Sequence, residues 1–300
     1  EIMPSLVGSE MCIRDSGRVA GPDGWRAAGM NDLHPLGAMP SAAADFAGQH
    51  VLVTGAASGI GQALALALLA HGARVTALDA DAAGLQALHA HAVSADQLCT
   101  RTVDVSDSAA VDAAVFDGEA TLGAIDRLAC VAGVLQMGRI VDLTDAQWSR
   151  TFGVNTAGVF NVCRAVARRM IPRARGAIVN VSSNAATTPR AGMGAYAASK
   201  AAVTQLSRCL ALELAEHGIR CNVVSPGSTD TEMQRAMWRQ GSSREAVIEG
   251  HAASFRLGIP LRKIADPADI VEAILFLLSD RAGHITLHDL RVDGGATLDQ

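Results

Sequence analysis

Aromatic residues are scarce in this chain: they make up 3% of 300 residues, against 49% hydrophobic residues overall. The apolar content is mainly Ala, Val, Leu and Ile, which suits a parallel sheet covered by close-packed helices. Charge is also sparse, at 18% Asp, Glu, Lys and Arg with a net charge of −5. No basic run is present, so nucleic acid is not an expected partner. No apolar stretch reaches the ~18 residues of a membrane span, so no membrane association is expected. The six cysteines (12, 99, 130, 163, 209 and 221) contain no paired Cys-x-x-Cys. They read as free thiols of a reducing, cytoplasmic protein and not as a disulfide or zinc framework. The nine histidines show no ligand spacing with carboxylates, and His89 and His91 point to different helix faces. No metal is expected.

Residues 1–44 lack any sustained period and are rich in Gly, Pro, Ala and Met. The stretch Val7-Gly-Ser-Glu-Met-Cys-Ile-Arg-Asp-Ser16 resembles translated sequencing-adapter sequence. The expectation is an unstructured or artefactual extension over 1–44, a natural start at Met30 or Met39, and one folded domain over 45–300. The extension lacks the contiguous apolar core of a signal peptide.

The strongest chemical signal is Tyr196-Ala-Ala-Ser-Lys200, preceded by Ser182-Ser183. A four-residue spacing on a helix puts the phenol and the ammonium on one face, ~5–6 Å apart at Cβ. A cation beside a phenol favours the phenolate, so the Tyr196 pKa is expected to fall from ~10 toward neutrality. A tyrosine tuned in that way can take the proton of an alcohol. The Ser183 hydroxyl can hold the same oxygen.

A hydride acceptor has its site upstream. A short apolar run, 50–54, leads into Gly55-Ala-Ala-Ser58-Gly59-Ile60-Gly61 and then an apolar helical run. Strand, glycine turn and helix together make a dinucleotide fingerprint, because the backbone can approach a pyrophosphate and the helix N-terminus faces it. A second strand ends at Asp79, 18 residues after Gly61. An acid there accepts the adenosine ribose hydroxyls and repels a 2′-phosphate. No Arg or Lys follows it directly, so the expected cofactor is NAD.

Strands are expected at 50–54, 74–79, 99–104, 126–131, 176–181, 219–224 and 286–292. Helices are expected at 59–71, 82–91, 108–122, 145–171, 194–216 and 267–278. This alternation implies an α/β, doubly wound parallel sheet with right-handed crossovers. Residues 228–252 are polar, contain Met, and read as a mobile lid over the substrate.

With these motifs in place, the chain resembles the short-chain dehydrogenase/reductase family. The matching residues are Thr54-Gly55-x3-Gly59-x-Gly61, Asp104-Val105, Ala132-Gly133, Asn155, Ser183, Tyr196/Lys200 and Pro226-Gly227-x3-Thr231. The resemblance implies a single-domain Rossmann-type sheet of seven strands in the order 3-2-1-4-5-6-7. It implies Tyr196 as general base, with Lys200 lowering its pKa and holding the nicotinamide ribose. Ser183 would orient the substrate, and Asn155 would bend its helix and support a proton relay. Asp104 and Val105 would meet the adenine. Ala132 and Gly133 would allow close cofactor approach, and Pro226, Gly227, Thr229 and Thr231 would set the carboxamide end. It also implies a homotetramer built on the helices at 145–171 and 194–216.

The stretches Ser225 to Arg235, Leu257 to Leu261, Val292 to Leu298, Thr188 to Met193 and Gln136 to Gly138 narrow the resemblance. They point to members that oxidise a dihydrodiol acid to the catechol acid of siderophores. Such a substrate needs a cation for its carboxylate. Arg190 is the first candidate and Arg235 the second, with Met193, Met233 and Met237 flanking the pocket. The alternatives are a family member with another diol or hydroxy substrate, or a silent NAD-binding protein. One departure stands out: Cys130-Val131 replaces the usual Asn-containing pair before Ala132-Gly133, and is expected to loosen that strand end.

Overall fold

The computed structural model describes residues 45–298 apart from 92, 93, 95, 240–242, 253 and 254. The expectations for residues 1–44 lie outside the described residues.

Seven strands form one parallel sheet: β1 His50–Thr54, β2 Arg74–Asp79, β3 Leu98–Thr102, β4 Arg127–Cys130, β5 Gly176–Val181, β6 Ile219–Pro226 and β7 Asp289–Val292. Their order across the sheet is β3-β2-β1-β4-β5-β6-β7. The helices are α1 Gly59–Ala70, α2 Ala82–Leu88, α3 Ser108–Leu122, α4 Asp145–Phe152, α5 Gly158–Met170, α6 Gly194–Ala215, α7 Glu232–Arg239, α8 Arg244–Glu249 and α9 Pro267–Leu278. The expected topology is therefore present. β1, β2 and β5 have the expected ends, and the other strands shift by one to three residues, most at β7, which begins at Asp289.

Successive strand residues face opposite sides of a sheet, and the sequence uses both sides. Val51, Val53 and Val179 pack with Leu64 and Leu68 of α1 and Ile274 and Leu278 of α9. Leu52, Leu128 and Ile178 face the other way, toward Val111 and Val115 of α3, Val162 and Val166 of α5, and Val203 of α6. Each fully buried side chain of this kind contributes roughly 1.5–3 kcal/mol. These two layers fix the sheet on which the site is built.

At the sheet's opposite end from the site, arginines cap helix carbonyls. Arg220 of β6 donates to the carbonyls of Leu277, Leu278 and Ser279 at the end of α9, at 2.6, 3.3 and 2.8 Å. Those are carbonyls a helix leaves unpaired at its C-terminus. The neighbouring Arg127 is buried and pairs with Asp280 at 2.7 Å.

One expectation is corrected. The helix expected over 145–171 is not continuous: a π-turn, Gly153–Ala157, separates α4 from α5. Asn155 lies inside it, and its side chain bonds outward, which an unbroken α-helix would position differently. A single π-turn of this kind is common at functional sites. The segment 228–252 carries two short helices, α7 and α8, followed by a two-residue antiparallel pairing of Gly250–His251 with Arg256–Leu257. Ser243 starts α8 by accepting the Ala246 amide at 3.0 Å. Among the described residues, no helix is long and apolar enough to cross a membrane.

Candidate active site

The strand order reverses between β1 and β4, and ligands of open α/β sheets bind beyond the carboxyl ends of the strands at such a point. A cavity of about 340 Å³ opens there. One wall is the glycine turn between β1 and α1. Gly55 has φ +70°, and a Cβ on it would lie 2.8 Å from the Ala132 backbone. A Cβ on Gly61 would lie 2.0 Å from the Gly55 carbonyl oxygen. Only glycine fits either position, and the missing side chains leave backbone facing the cavity.

Asp79 ends β2 at the cavity edge. Its carboxylate is held on both oxygens, by the Ala57 amide at 2.9 Å and the Asp81 amide at 3.0 Å. That fixes an acid at the mouth with lone pairs to spare. Asp104 and Val105 line the next stretch. Asp104 accepts from the Ser106 amide and hydroxyl at 2.9 and 2.7 Å, and these bonds hold its carboxyl below the usual range. Capping of α3 falls to Asp107 instead. Ser58, Gly59, Ile60, Ala132, Gly133, Pro226, Gly227, Thr229 and Thr231 also line the cavity.

The departure at Cys130-Val131 has a local answer. The Thr54 hydroxyl oxygen accepts from the amides of Val131 and Ala132, at 3.1 and 3.2 Å, and so pins the end of β4. Cys130 itself points into the core against Cys163, sulfur to sulfur 3.9 Å, and Cys163 in turn donates to the Asn180 side chain at 3.3 Å. The contact with Cys163, and then burial, push the Cys130 thiol well up.

The inner wall carries the chemistry. Ser183 follows β5 and its oxygen accepts the Ala185 amide at 3.1 Å, so a short turn fixes it. Ser182 points the other way, donating to the Lys200 carbonyl at 3.0 Å and meeting the Thr204 hydroxyl at 2.8 Å. Tyr196, the one tyrosine of the sequence, stands on the first turn of α6 and lines the cavity. Lys200, one turn on, is buried, and its Nζ donates to the Val181 carbonyl at 2.9 Å.

The electrostatics differ from the expectation. Burial raises the Tyr196 phenol above its ordinary value; a hydrogen bond with Ser183 and the charge of Arg190 oppose that without reversing it. Burial lowers Lys200 to about 8. The four-residue spacing is present, but Lys200 Nζ lies 5.9 Å from the tyrosine ring centroid and bonds to backbone. Desolvation of both groups therefore outweighs their mutual effect.

Asn155 is fully buried. Its Oδ1 accepts the Val134 amide at 2.8 Å, and its Nδ2 donates to the Val134 carbonyl at 3.0 Å and the Ser199 hydroxyl at 2.9 Å. It thus ties the loop after β4 to α6. A Cβ on Gly133 would meet both Asn155 Oδ1, at 3.3 Å, and Lys200 Nζ, at 3.4 Å, so these groups converge behind the cavity wall.

Arg190, Met193, Met233 and Met237 line the cavity as expected. Arg235 does not. Its side chain turns out to Asp230, Nε to Oδ1 2.7 Å, because on α7 it lies on a different face from Met233 and Met237. Sequence reasoning missed Arg256 and Gln234, which do line the cavity. The Gln234 side-chain nitrogen is buried and has no protein partner among the described residues. Arg256 follows the expected lid and carries no motif of its own. Gln234 sits beside Arg235 and could have been found only by phasing α7.

These residues fit a dinucleotide. The glycine turn presents backbone amides at the N-terminus of α1, Asp79 suits a ribose, and the cavity continues from that acid to Tyr196. The comparisons agree. A family model described as enoyl-(acyl carrier protein) reductase matches residues 55–297. The 2,3-dihydro-2,3-dihydroxybenzoate dehydrogenase of Bacillus subtilis (strain 168) is 48% identical over 260 residues, 84% of this chain and 97% of that protein. The vibriobactin-specific 2,3-dihydro-2,3-dihydroxybenzoate dehydrogenase of Vibrio cholerae is 48% identical over 254 residues, 83% of this chain and 96% of that one. A solved short-chain dehydrogenase/reductase family protein superposes with TM-score 0.72 at 33% identity, covering 84% of this chain and 98% of that chain. A glycine turn closed on Ala132, a tyrosine and lysine one helical turn apart, and relatives matched along nearly their whole length lead to one assignment: the chain belongs to the short-chain dehydrogenase/reductase family.

Proposed function

We propose that the protein oxidises 2,3-dihydro-2,3-dihydroxybenzoate to 2,3-dihydroxybenzoate with NAD, as a step in making a catecholate siderophore. The observation that carries this is the convergence of Ser183, Tyr196 and Lys200 on a cavity that begins at Asp79. The near-full-length similarity to two dehydrogenases named for that substrate supports the choice among alcohols. Asp79, with no basic residue directly after it, supports NAD over NADP.

NAD, when bound, supplies the hydride acceptor. The glycine turn and Asp79 hold its adenosine half, and Gly133, Pro226, Gly227, Thr229 and Thr231 the other half. The Ser183 oxygen accepts the Ala185 amide, and its hydroxyl, which lines the cavity beside Tyr196, can hold a substrate oxygen. In its phenolate form, which the Ser183 hydrogen bond and the charge of Arg190 favour against burial, Tyr196 takes the hydroxyl proton of the substrate. Lys200 and the buried network through Asn155 and Ser199 keep the phenol placed and supply a positive charge behind it. The ketone formed tautomerises to an aromatic catechol, which makes the step effectively one-way.

The five described cysteines are unpaired, four of them buried, which supports a reducing cytoplasm. Phe160 of α5 and Leu212 of α6 are exposed at 44% and 65%. These apolar side chains support self-association through the two helices, as a homotetramer. The functional test is direct: purified protein, NAD and the dihydrodiol acid, followed at the NADH absorbance band. The absorbance of the reduced nicotinamide is expected to rise with NAD and far more slowly with NADP. No increase with either cofactor refutes the assignment.

A further inference from the structure

The cavity's outer wall carries two guanidiniums that no carboxylate of the described residues holds. Arg190 comes from the turn between β5 and α6, and Arg256 from the short strand after α8. Both line the cavity with Ser183 and Tyr196. Arg256 donates to the Ser228 hydroxyl at 3.0 Å, which steadies it without neutralising it. Arg190 has no side-chain hydrogen bond or ion pair among the described residues.

The nearby acids are already engaged. Asp293 accepts from the Asn184 side chain at 3.2 Å and from the Gly295 amide at 3.0 Å. Glu232 pairs with Arg239, and Asp230 with Arg235. Other arginines of the same region have partners too, Arg262 with Glu249 at 2.6 Å. Arg190 and Arg256 thus face the cavity beside Ser183 and Tyr196 without a carboxylate partner among the described residues. Burial lowers both from their ordinary values; the charge of Asp293, beyond ion-pair distance, opposes this at Arg190, and the charge of Arg190 lowers Arg256 further. Two like charges held in a half-buried site repel, and an anion between them relieves that repulsion.

The geometry points to a two-guanidinium clamp in which Arg190 and Arg256, from two different chain segments, grip the carboxylate of a ring acid. Each fork can give a carboxylate two parallel hydrogen bonds. Met193, Met233 and Met237 supply the apolar surface for the ring. The clamp rests on the proposed dihydrodiol acid only for the identity of that acid. It also has a mechanical corollary. Arg256 belongs to the segment that follows α7 and α8, so a carboxylate bridging it to Arg190 ties that segment to the turn before α6.

The test uses the full chain and two isosteric probes, benzoate and neutral benzamide, titrated by calorimetry with and without NADH. Wild type is expected to bind benzoate at least about tenfold tighter than benzamide, the loss of a charge-assisted hydrogen bond being worth about that much or more. Arg190→Gln and Arg256→Gln should each erase most of the preference while leaving NADH affinity unchanged. With the dihydrodiol acid, KM should rise about tenfold and kcat should change little. Arg256→Lys keeps the charge and loses the fork, so it should fall between; it also replaces the Gln variant if that one does not fold. Equal binding of benzoate and benzamide by wild type, or a preference that survives in both Gln variants, overturns the clamp. A wild type that prefers benzoate but does not oxidise the dihydrodiol acid upholds the clamp and refutes only the substrate.

Discussion

Lys200 Nζ is bonded to the Val181 carbonyl at 2.9 Å and sits 5.9 Å from the centre of the Tyr196 ring. The lysine thus joins the end of β5 to α6 before it serves the tyrosine. A buried ammonium in that position is held by one carbonyl and opposed by its surroundings, and its pKa drops to about 8.

That drop is a stability statement. In the unfolded chain the amine titrates near its ordinary value of 10.5. Between about pH 8 and 10.5 the unfolded state binds more protons, so stability rises with pH there. Below pH 8 the cost of the buried charge is fully present, at most roughly 3 kcal/mol. Lys200→Met should therefore raise stability at pH 7 by about 1–2 kcal/mol, after the lost bond to Val181 is counted. Its advantage should shrink toward pH 10. Urea unfolding at the two pH values measures this, and a pH-independent difference would contradict it. Activity should be lost, a stability gain at the cost of function.

Tyr196→Phe removes the proton acceptor and leaves the cofactor wall untouched. Turnover should fall about 10²- to 10⁴-fold while NADH affinity, read by fluorescence titration, stays within about twofold. A variant keeping more than a few per cent of activity would show that another group takes the proton.

Asp79→Ala combined with Ala80→Arg should move cofactor preference toward NADP. The pair removes a repulsion and adds a phosphate partner. The ratio of kcat/KM for the two cofactors should shift by about tenfold or more. Asp79 also holds the Ala57 amide, so some loss with both cofactors is expected. An unchanged ratio would mean that another residue reads the ribose.

Gly61→Ala places a methyl 2.0 Å from the Gly55 carbonyl oxygen, where only backbone movement can make room. Overpacking of this kind costs about 1–3 kcal/mol, and it opens the turn that faces the dinucleotide. A lower melting temperature together with weakened NADH binding is expected. Wild-type affinity for NADH in this variant would show that the turn does not contact the cofactor.

Much of this was legible in the sequence because the signals were local. A strand, a glycine turn and a helix are contiguous, and so are Tyr196 and Lys200. The sheet order followed from the family resemblance and from alternating elements. What was missed depends on distance or burial. Spacing alone put the cation beside the phenol and suggested a lowered tyrosine pKa, whereas burial, which no spacing reveals, raises it. Arg235 was chosen because it lies in a long polar segment. The helix phase of α7 turns it to Asp230, and the cavity-facing guanidinium comes from Arg256, beyond that segment. The resemblance implied a bend at Asn155, but its form as a π-turn depends on a side chain committed to Val134 and Ser199.

The three carbonyls that Arg220 gathers at the end of α9 couple two elements distant in sequence. α9 cannot fray at its last turn without releasing a guanidinium rooted in β6, and β6 lies between β5 and β7. Backbone amides of the final turn of α9 should therefore exchange with deuterium in step with those of β6, as one opening unit, where a free helix end would exchange first. The rear of the sheet, far from the chemistry, would then let solvent in as one unit and not from its helix end.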